Sequence, residues 1–440
     1  MPDVLGLPIL LMRRVLFIAY LYPPIANSGT RRSLCFSNHL ADSGWETVVL
    51  TLDPIQESAV DEHSLHEIRA GMRVERVALG SRLLAQRLSR WLPRPWRGRL
   101  EDALSWRLSA RNQFPDEVAC WLKPAVARGI ALHREKPFDA IYASGWPWTS
   151  FLVAQHISAA TGIPYVLDYR DNWNPLGEQG ANAWDTQNSA QAAHNPVLER
   201  AAAASAAAVV TVTETLANAM AETAGRSDFH IITNGFEPDD FASPSPAPGD
   251  GLLRVTYTGV WRPGYGLHEL YQAIALLKQS NAPVLQRLRV EVAGFVPGPA
   301  VEHGVADVVL ERGPVSHDEA LRLMQQADVQ FLPVPTGFYA EACLPGKVFE
   351  YMGSGRPILA LAPPSSEVAK VLAEVGGAIC LAPGDVAGIA AVLERLGAGE
   401  SVFDEVRPER LQRYTRAATT AQLVEVLQAA LEAPKKGQRS

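Results

Sequence analysis

Val15-Leu-Phe-Ile-Ala-Tyr20, the loop Tyr22-Pro23-Pro24-Ile-Ala-Asn27-Ser28-Gly29, the stretch Thr30 to Ala41 and the run Thr47 to Leu52 together decide the fold of this chain. The first run is apolar on both faces, the pattern of a strand buried inside a parallel sheet rather than one with a wet side. The loop is rich in Pro, Asn, Ser and Gly and ends where a helical pattern begins, and Thr47–Leu52 is apolar again. Strand, glycine loop, helix and strand form a βαβ unit, the opening of a doubly wound sheet.

The alternation continues outward from this unit. Strands are predicted at Val74–Leu79, Ala140–Ser144, Tyr165–Asp168, Val209–Val212 and His230–Thr233, with helical stretches between most of them. The pattern stops at Ala242-Ser-Pro-Ser-Pro-Ala-Pro-Gly-Asp-Gly251 and restarts at Arg254-Val-Thr-Tyr-Thr-Gly259. Further strands are predicted near Arg289–Ala293, Val308–Glu311, Val329–Leu332, Pro357–Leu361 and Gly377–Leu381. The chain therefore reads as two α/β domains, residues 1–241 and 252–412, joined by a linker at 242–251. A helix at 413–433 is expected to cross back to the first domain, and residues 434–440 form a basic tail expected to be disordered. Doubly wound domains build their sites at the C-terminal ends of their strands, so a cleft between the two is the expected place for chemistry.

The 440 residues are too many for one ordinary core, and 47% hydrophobic with 20% charged residues excludes a disordered, collagen-like or disulfide-stapled chain. Forty basic against 47 acidic residues give a net charge of −7 and no global reason to expect nucleic acid. Cys35, Cys120, Cys343 and Cys380 are too scattered for a metal site, which suits free thiols in a reducing cytoplasm. The apolar stretch Leu5–Met12 is too short to span a bilayer, and its arginines follow it rather than precede it, so no export is expected.

Two loops carry candidate chemistry. The loop ending in Gly29 offers backbone amides at a helix start, suited to a phosphate or an oxyanion, with Gly29 allowing close approach; an ordinary βα turn is the structural alternative. The stronger segment is Cys343-Leu344-Pro345-Gly346-Lys347-Val-Phe-Glu350-Tyr-Met-Gly353-Ser-Gly355-Arg356-Pro357-Ile358. There a Pro-Gly turn opens a short helix with Lys347 and Glu350 one turn apart on one face. Helix amides and Lys347 suit a diphosphate and Glu350 a ribose diol, while a surface salt bridge between the two side chains is the alternative.

Gly346-Lys-Val-Phe-Glu-Tyr-Met-Gly-Ser-Gly-Arg-Pro-Ile358 resembles the donor-site signature of sugar-nucleotide glycosyltransferases of family 4, which have the two-domain GT-B fold. Tyr20-Leu-Tyr-Pro-Pro24 with its glycine loop, Asp168-Tyr-Arg-Asp171-Asn-Trp173, Ile232-Thr-Asn-Gly-Phe236 with Asp239-Asp240-Phe241, and Tyr257-Thr-Gly259 agree in order and spacing. The similarity covers most of residues 14–430. It implies that Glu350 binds the ribose, that Leu344, Pro345, Gly346 and Lys347 cradle the pyrophosphate, and that Gly313-Pro-Val315 reads the nucleobase through its backbone. Asp168, Arg170 and Asp171 would lie near the reacting sugar and the acceptor, Arg170 as a fixed cation and Asp171 as a base or hydroxyl acceptor; an internal Arg–Asp pair is the structural alternative.

The resemblance further implies a retaining reaction with a nucleoside diphosphate sugar as substrate, no cofactor and no metal, and a part in cell-surface polysaccharide, glycolipid or natural-product synthesis. The acceptor would be a lipid-linked glycan or a small molecule. Three departures stand out. Ala342 occupies the place of a second glutamate, with Glu341 one position off register. Arg262 stands near the place of a phosphate-binding Arg and Lys pair, and Arg170 replaces a commoner histidine. A sugar-nucleotide epimerase, a transferase with an unusual donor or acceptor, and a non-catalytic nucleotide-sugar-binding partner remain as alternatives.

One local feature cuts against the average charge. Arg82 to Arg111 holds eight arginines against two acids, a charge of +6 that leaves −13 for the rest of the chain. Trp91, Trp96 and Trp106 are interspersed, a combination suited to anionic lipid headgroups, so peripheral contact with the inner face of the membrane is expected. A solvated arginine face with its tryptophans packed on the domain is the alternative.

Overall fold

A computed structural model describes residues 12–54, 60–89, 114–174, 189–243, 245, 249–259, 267–294, 299–334 and 341–432. Residues 90–111 of the basic segment, Arg262 and the 434–440 tail lie outside the described residues. The chain packs as two compact units, Met1–Ile232 with Thr420–Ser440, and Thr233–Thr419.

The first unit is built on seven parallel strands: β1 (Arg13–Ala19), β2 (Trp45–Leu52), β3 (Arg73–Val77), β4 (Ala140–Gly145), β5 (Tyr165–Tyr169), β6 (Ala208–Thr211) and β7 (Phe229–Ile231), in the order β3-β2-β1-β4-β5-β6-β7. Val15 of β1 lies opposite Thr47 on one side and Ala140 on the other. The run 15–20 is apolar throughout because alternate residues feed two separate cores. Leu16 and Ile18 join Val48, Leu50, Ile141 and Leu167 on one face, and Val15, Phe17 and Ala19 join Val49, Tyr142 and Val166 on the other. The C-terminal helix Arg416–Glu432 adds Leu423, Val426 and Leu427 to the second of these cores.

The second unit has six parallel strands: β8 (Leu253–Thr258), β9 (Leu288–Ala293), β10 (Val309–Gly313), β11 (Val329–Pro333), β12 (Ile358–Leu361) and β13 (Ala378–Leu381), in the order β10-β9-β8-β11-β12-β13. Both sheets thus reverse direction of growth beside their first strand, at β1/β4 and at β8/β11. A doubly wound sheet leaves its ligand crevice at such a point. All thirteen strands fall within a few residues of the positions the apolar runs predict.

The second unit begins ahead of the Pro/Ser stretch. Phe236 is buried in its core beside Leu344, Val348 and Phe349. The Phe236 amide donates to the Tyr414 carbonyl at 3.0 Å and its carbonyl accepts from the Arg416 amide at 2.9 Å. Residues 233–241, expected in the first domain, therefore pack with the second, because an aromatic side chain anchors them there.

Candidate functional site

In the second unit the Gly346–Gly353 helix follows β11 and is pinned to the end of β8 by two side chains one turn apart. Tyr351 Oη accepts from the Thr258 amide at 2.9 Å. Lys347 Nζ donates to Tyr257 Oη at 3.1 Å and lies 4.4 Å from the centre of the Tyr257 ring, a cation–π contact. Tyr257 and Tyr351 are fully buried. The ammonium also covers Gly259, where a Cβ would collide with it, so only glycine (φ +139°) fits. The neighbouring Gly294 (φ +125°) is likewise compelled, because a Cβ there would run into the Gly259 carbonyl. Sequence reading passed over Gly294; its only signal was a glycine closing an apolar run, as Gly259 also does.

Burial pushes the Lys347 ammonium down to about 8, against the opposing effects of Glu350 and Cys343. Among the described residues Lys347 has no ion pair, and the Glu350 carboxylate accepts no hydrogen bond. The surface salt bridge between these two side chains is therefore not formed, although they share a face. Pro345 opens the helix without a side-chain cap, so its first amides are left for other acceptors. Leu344 is buried in the core and anchors the turn, and Gly346 is exposed. Val315 is half-buried between β10 and the His317–Gln326 helix.

The candidate residues of the first unit arrange themselves differently. Asp168, at the end of β5, is fully buried and accepts from four donors: Arg32 Nη2 at 2.8 Å, Arg32 Nε at 2.9 Å, Tyr142 Oη at 2.6 Å and Ser144 Oγ at 3.3 Å. Arg32 Nη2 also donates to the Ile232 carbonyl at 2.9 Å. Burial works against the Arg32 charge, and Asp168 outweighs it, holding the guanidinium above its usual range. The internal ion pair of this region is thus Arg32–Asp168, not a pair involving Arg170. Arg32 escaped sequence reading; its one signal is its place a single turn after Gly29 on the Ser28–Asp42 helix.

Arg170 is half-buried and turns its guanidinium onto the β4 loop, Nε donating to the Gly145 carbonyl at 2.5 Å and Nη2 to that of Trp146 at 2.6 Å. It makes no ion pair among the described residues, and burial holds its pKa below the usual value despite Asp171 and Asp168. The space above Gly29 is filled by this guanidinium, and the Gly29 amide donates to Asn27 Oδ1 at 2.9 Å. The expected bare backbone at Gly29 is therefore a seat for Arg170, and an anion reaching this place meets the guanidinium. Asp171 is exposed beside it.

Among the described residues no group of three or more His, Cys, Asp and Glu side chains could hold a metal ion, and no helix is long and apolar enough to cross a membrane. The Gly80–Ser89 helix exposes Leu83, Leu84 and Leu88 by 45%, 44% and 57%, a solvent-facing apolar stripe where the basic segment begins.

Residues 30–235 match the glycosyl transferase 4-like domain and residues 253–398 the group 1 glycosyl transferases. Among solved structures the chain is similar to sucrose-phosphate synthase from Thermosynechococcus elongatus (17% identity, TM-score 0.60, covering 96% of this chain and 100% of that one). It is similar also to Anabaena HepE in complex with UDP-glucose (16% identity, TM-score 0.54, covering 95% and 98%). A third is the lipopolysaccharide outer core galactosyltransferase WaaB (12% identity, TM-score 0.56, covering 94% and 99%). No curated protein matches the chain. The two sheets of one strand order and the two matched domains identify the chain as a glycosyltransferase of the GT-B fold.

Proposed function

We propose that the chain moves a sugar from a nucleoside diphosphate sugar to an acceptor hydroxyl with retention of configuration and without a divalent ion. The observation that carries this reading is the Lys347 ammonium, free of carboxylate partners among the described residues and held at the β8/β11 reversal beside an uncapped helix start. A diphosphate placed there would gain a charge-assisted bond and several amide donors, the neutralisation that a leaving nucleoside diphosphate requires. Glu350, one turn along, would accept both hydroxyls of the ribose, and Val315 would flank the base. Arg262 would supply a second cation.

On the first unit, Arg170 and Asp171 would meet the reacting sugar and the acceptor hydroxyl, while Asp168, enclosed by its four donors, shapes the floor beneath them. UDP-glucose, bound by the Anabaena relative, is the first donor to try. Release of nucleoside diphosphate from a panel of sugar nucleotides supports the transferase reading, whereas an epimerised sugar or binding without turnover would replace it. Glu350→Ala should abolish binding of the accepted donor in calorimetry; unchanged affinity would remove the assigned site.

The acceptor is proposed to be a lipid-linked glycan, met at the inner membrane surface through the Leu83, Leu84 and Leu88 stripe and the arginines that follow. Reversing charge at Arg87, Arg90 and Arg94 should release the protein from anionic liposomes and leave turnover on a water-soluble acceptor intact. Equal liposome binding by this variant would leave a small soluble acceptor as the reading.

A further inference from the structure

The loop that presents Arg170 and Asp171 is held from below by a carboxyl group that the reaction itself does not use. Glu199, on the Ser189–Ser205 helix, is fully buried. Asn174 Nδ2 donates to its Oε2 at 2.5 Å, while Glu199 Oε1 and Asn174 Oδ1 are buried without hydrogen-bond partners among the described residues. Asn172 Nδ2 in turn donates to the Asn174 carbonyl at 2.6 Å, which folds residues 172–174 around this contact. On the facing loop Asp116 accepts from the Thr149 amide at 2.9 Å and from Thr149 Oγ1 at 2.6 Å, fixing the start of the Thr149–Thr161 helix. Trp148 and Trp173 stack at 5.5 Å with 7° between their planes and join the two loops, and Arg170 bridges them higher up through the Gly145 and Trp146 carbonyls.

We propose that Glu199 is a positioning residue for glycosyl transfer, which through Asn174 fixes the 170–174 loop and hence the direction in which Arg170 and Asp171 face a substrate. The proposal rests on the reading of those two residues as the groups that meet the sugar and the acceptor. Glu199 is enclosed and acts only through Asn174.

The neutral acid is the form that this enclosure suits, because one oxygen has no donor among the described residues. Burial pushes Glu199 up to about 7, with the Asn174 hydrogen bond and the Arg200 charge opposing it. Tyr169 of β5 lies near enough for its phenol, raised by burial, to be held up further by the Glu199 charge, and the cation acting on Glu199 is Arg200, whose Nη2 donates to the Glu222 carbonyl at 2.9 Å. Arg200 is exposed to solvent and forms no ion pair with Glu199 among the described residues, so ionisation above neutral pH should loosen the Asn174 contact.

The full chain can be tested by amide hydrogen exchange of residues 169–174 from about pH 6 to about pH 8.5, corrected for intrinsic rates, a measurement that needs no donor. Exchange of the wild type should rise about tenfold across neutrality, and Glu199→Gln, which copies the neutral acid, should remove that rise. With UDP-glucose as donor, Glu199→Ala should lower kcat about tenfold and leave KM unchanged, and Glu199→Gln should keep wild-type turnover near pH 6 and hold it at higher pH. A wild-type pH response in Glu199→Gln, or wild-type exchange in Glu199→Ala, overturns the proposal. Asp171→Asn separates the two levels. Unchanged turnover there removes the reading of the loop, whereas lost turnover there with wild-type behaviour in both Glu199 variants removes Glu199 alone.

Discussion

The two sheets share one strand order, yet their reversal points treat charge in opposite ways. In the first unit the acid at the end of β5 is closed off by Arg32, Tyr142 and Ser144, so one full ion pair serves as scaffold. In the second the ammonium of Lys347 rests on an aromatic ring, and Glu350 beside it accepts nothing from the described residues. Topology supplies a crevice in both units. Side-chain partners decide whether the charge near it is already satisfied or is left for a ligand.

The largest effect should come from breaking the satisfied pair. Asp168→Ala leaves Arg32 buried without its partner and should destabilise the first unit by about 3–5 kcal/mol in denaturant titration. The double change Arg32→Met with Asp168→Leu should cost less than either single one. A loss below about 1 kcal/mol for Asp168→Ala would show that the pair is dispensable and the contrast false.

Removing the unsatisfied charge should do the reverse. Lys347→Met should cost little stability and weaken UDP binding by about 10- to 100-fold in calorimetry, the range for a charge-assisted hydrogen bond. Because the folded-state pKa of Lys347, about 8, is below that of an unfolded lysine, the folded protein loses this proton first. Its contribution to stability therefore rises with pH from about 8 towards the unfolded lysine value, while UDP affinity falls over the same range. Lys347→Met should lack both trends. Their persistence in the variant would assign them to another group.

The smallest effects separate the two glycines. Gly29→Ala drives a methyl into the Arg170 guanidinium and should cost about 1–3 kcal/mol by overpacking. Gly346→Ala meets nothing within 4 Å, so its stability should change by less than about 0.5 kcal/mol. Any loss of UDP affinity in that variant then reports on ligand approach alone. Equal destabilisation by both substitutions would erase the distinction between an internal seat and an open one.

Much of this was readable from the chain before folding. Continuous apolar runs such as Val15–Tyr20 marked buried parallel strands, because every residue of a doubly covered strand faces a core. The Leu344–Lys347 turn and the helix it opens were legible because seven consecutive residues, Leu344 to Glu350, carry the whole local geometry. The Arg32–Asp168 pair was not, since 136 positions separate its members and nothing nearby names either as the other's partner. The second compact unit starts ahead of the Pro/Ser stretch because composition marks where a chain cannot pack, whereas Phe236 shows where it does. Glu199 gave no signal at all; an acid in an Ala-rich helix reads as surface until the neighbouring loop covers it.

The sequence by itself determined two parallel α/β sheets, their strand positions and the helix that carries Lys347 and Glu350, since periodicity and turn chemistry act over a few residues. Tertiary structure alone decided which charges are enclosed and which stand open. Arg32 reaches Asp168, Arg170 settles over Gly29 and Lys347 lies on Tyr257 only once distant strands bring them together, and burial then makes each of those partnerships matter.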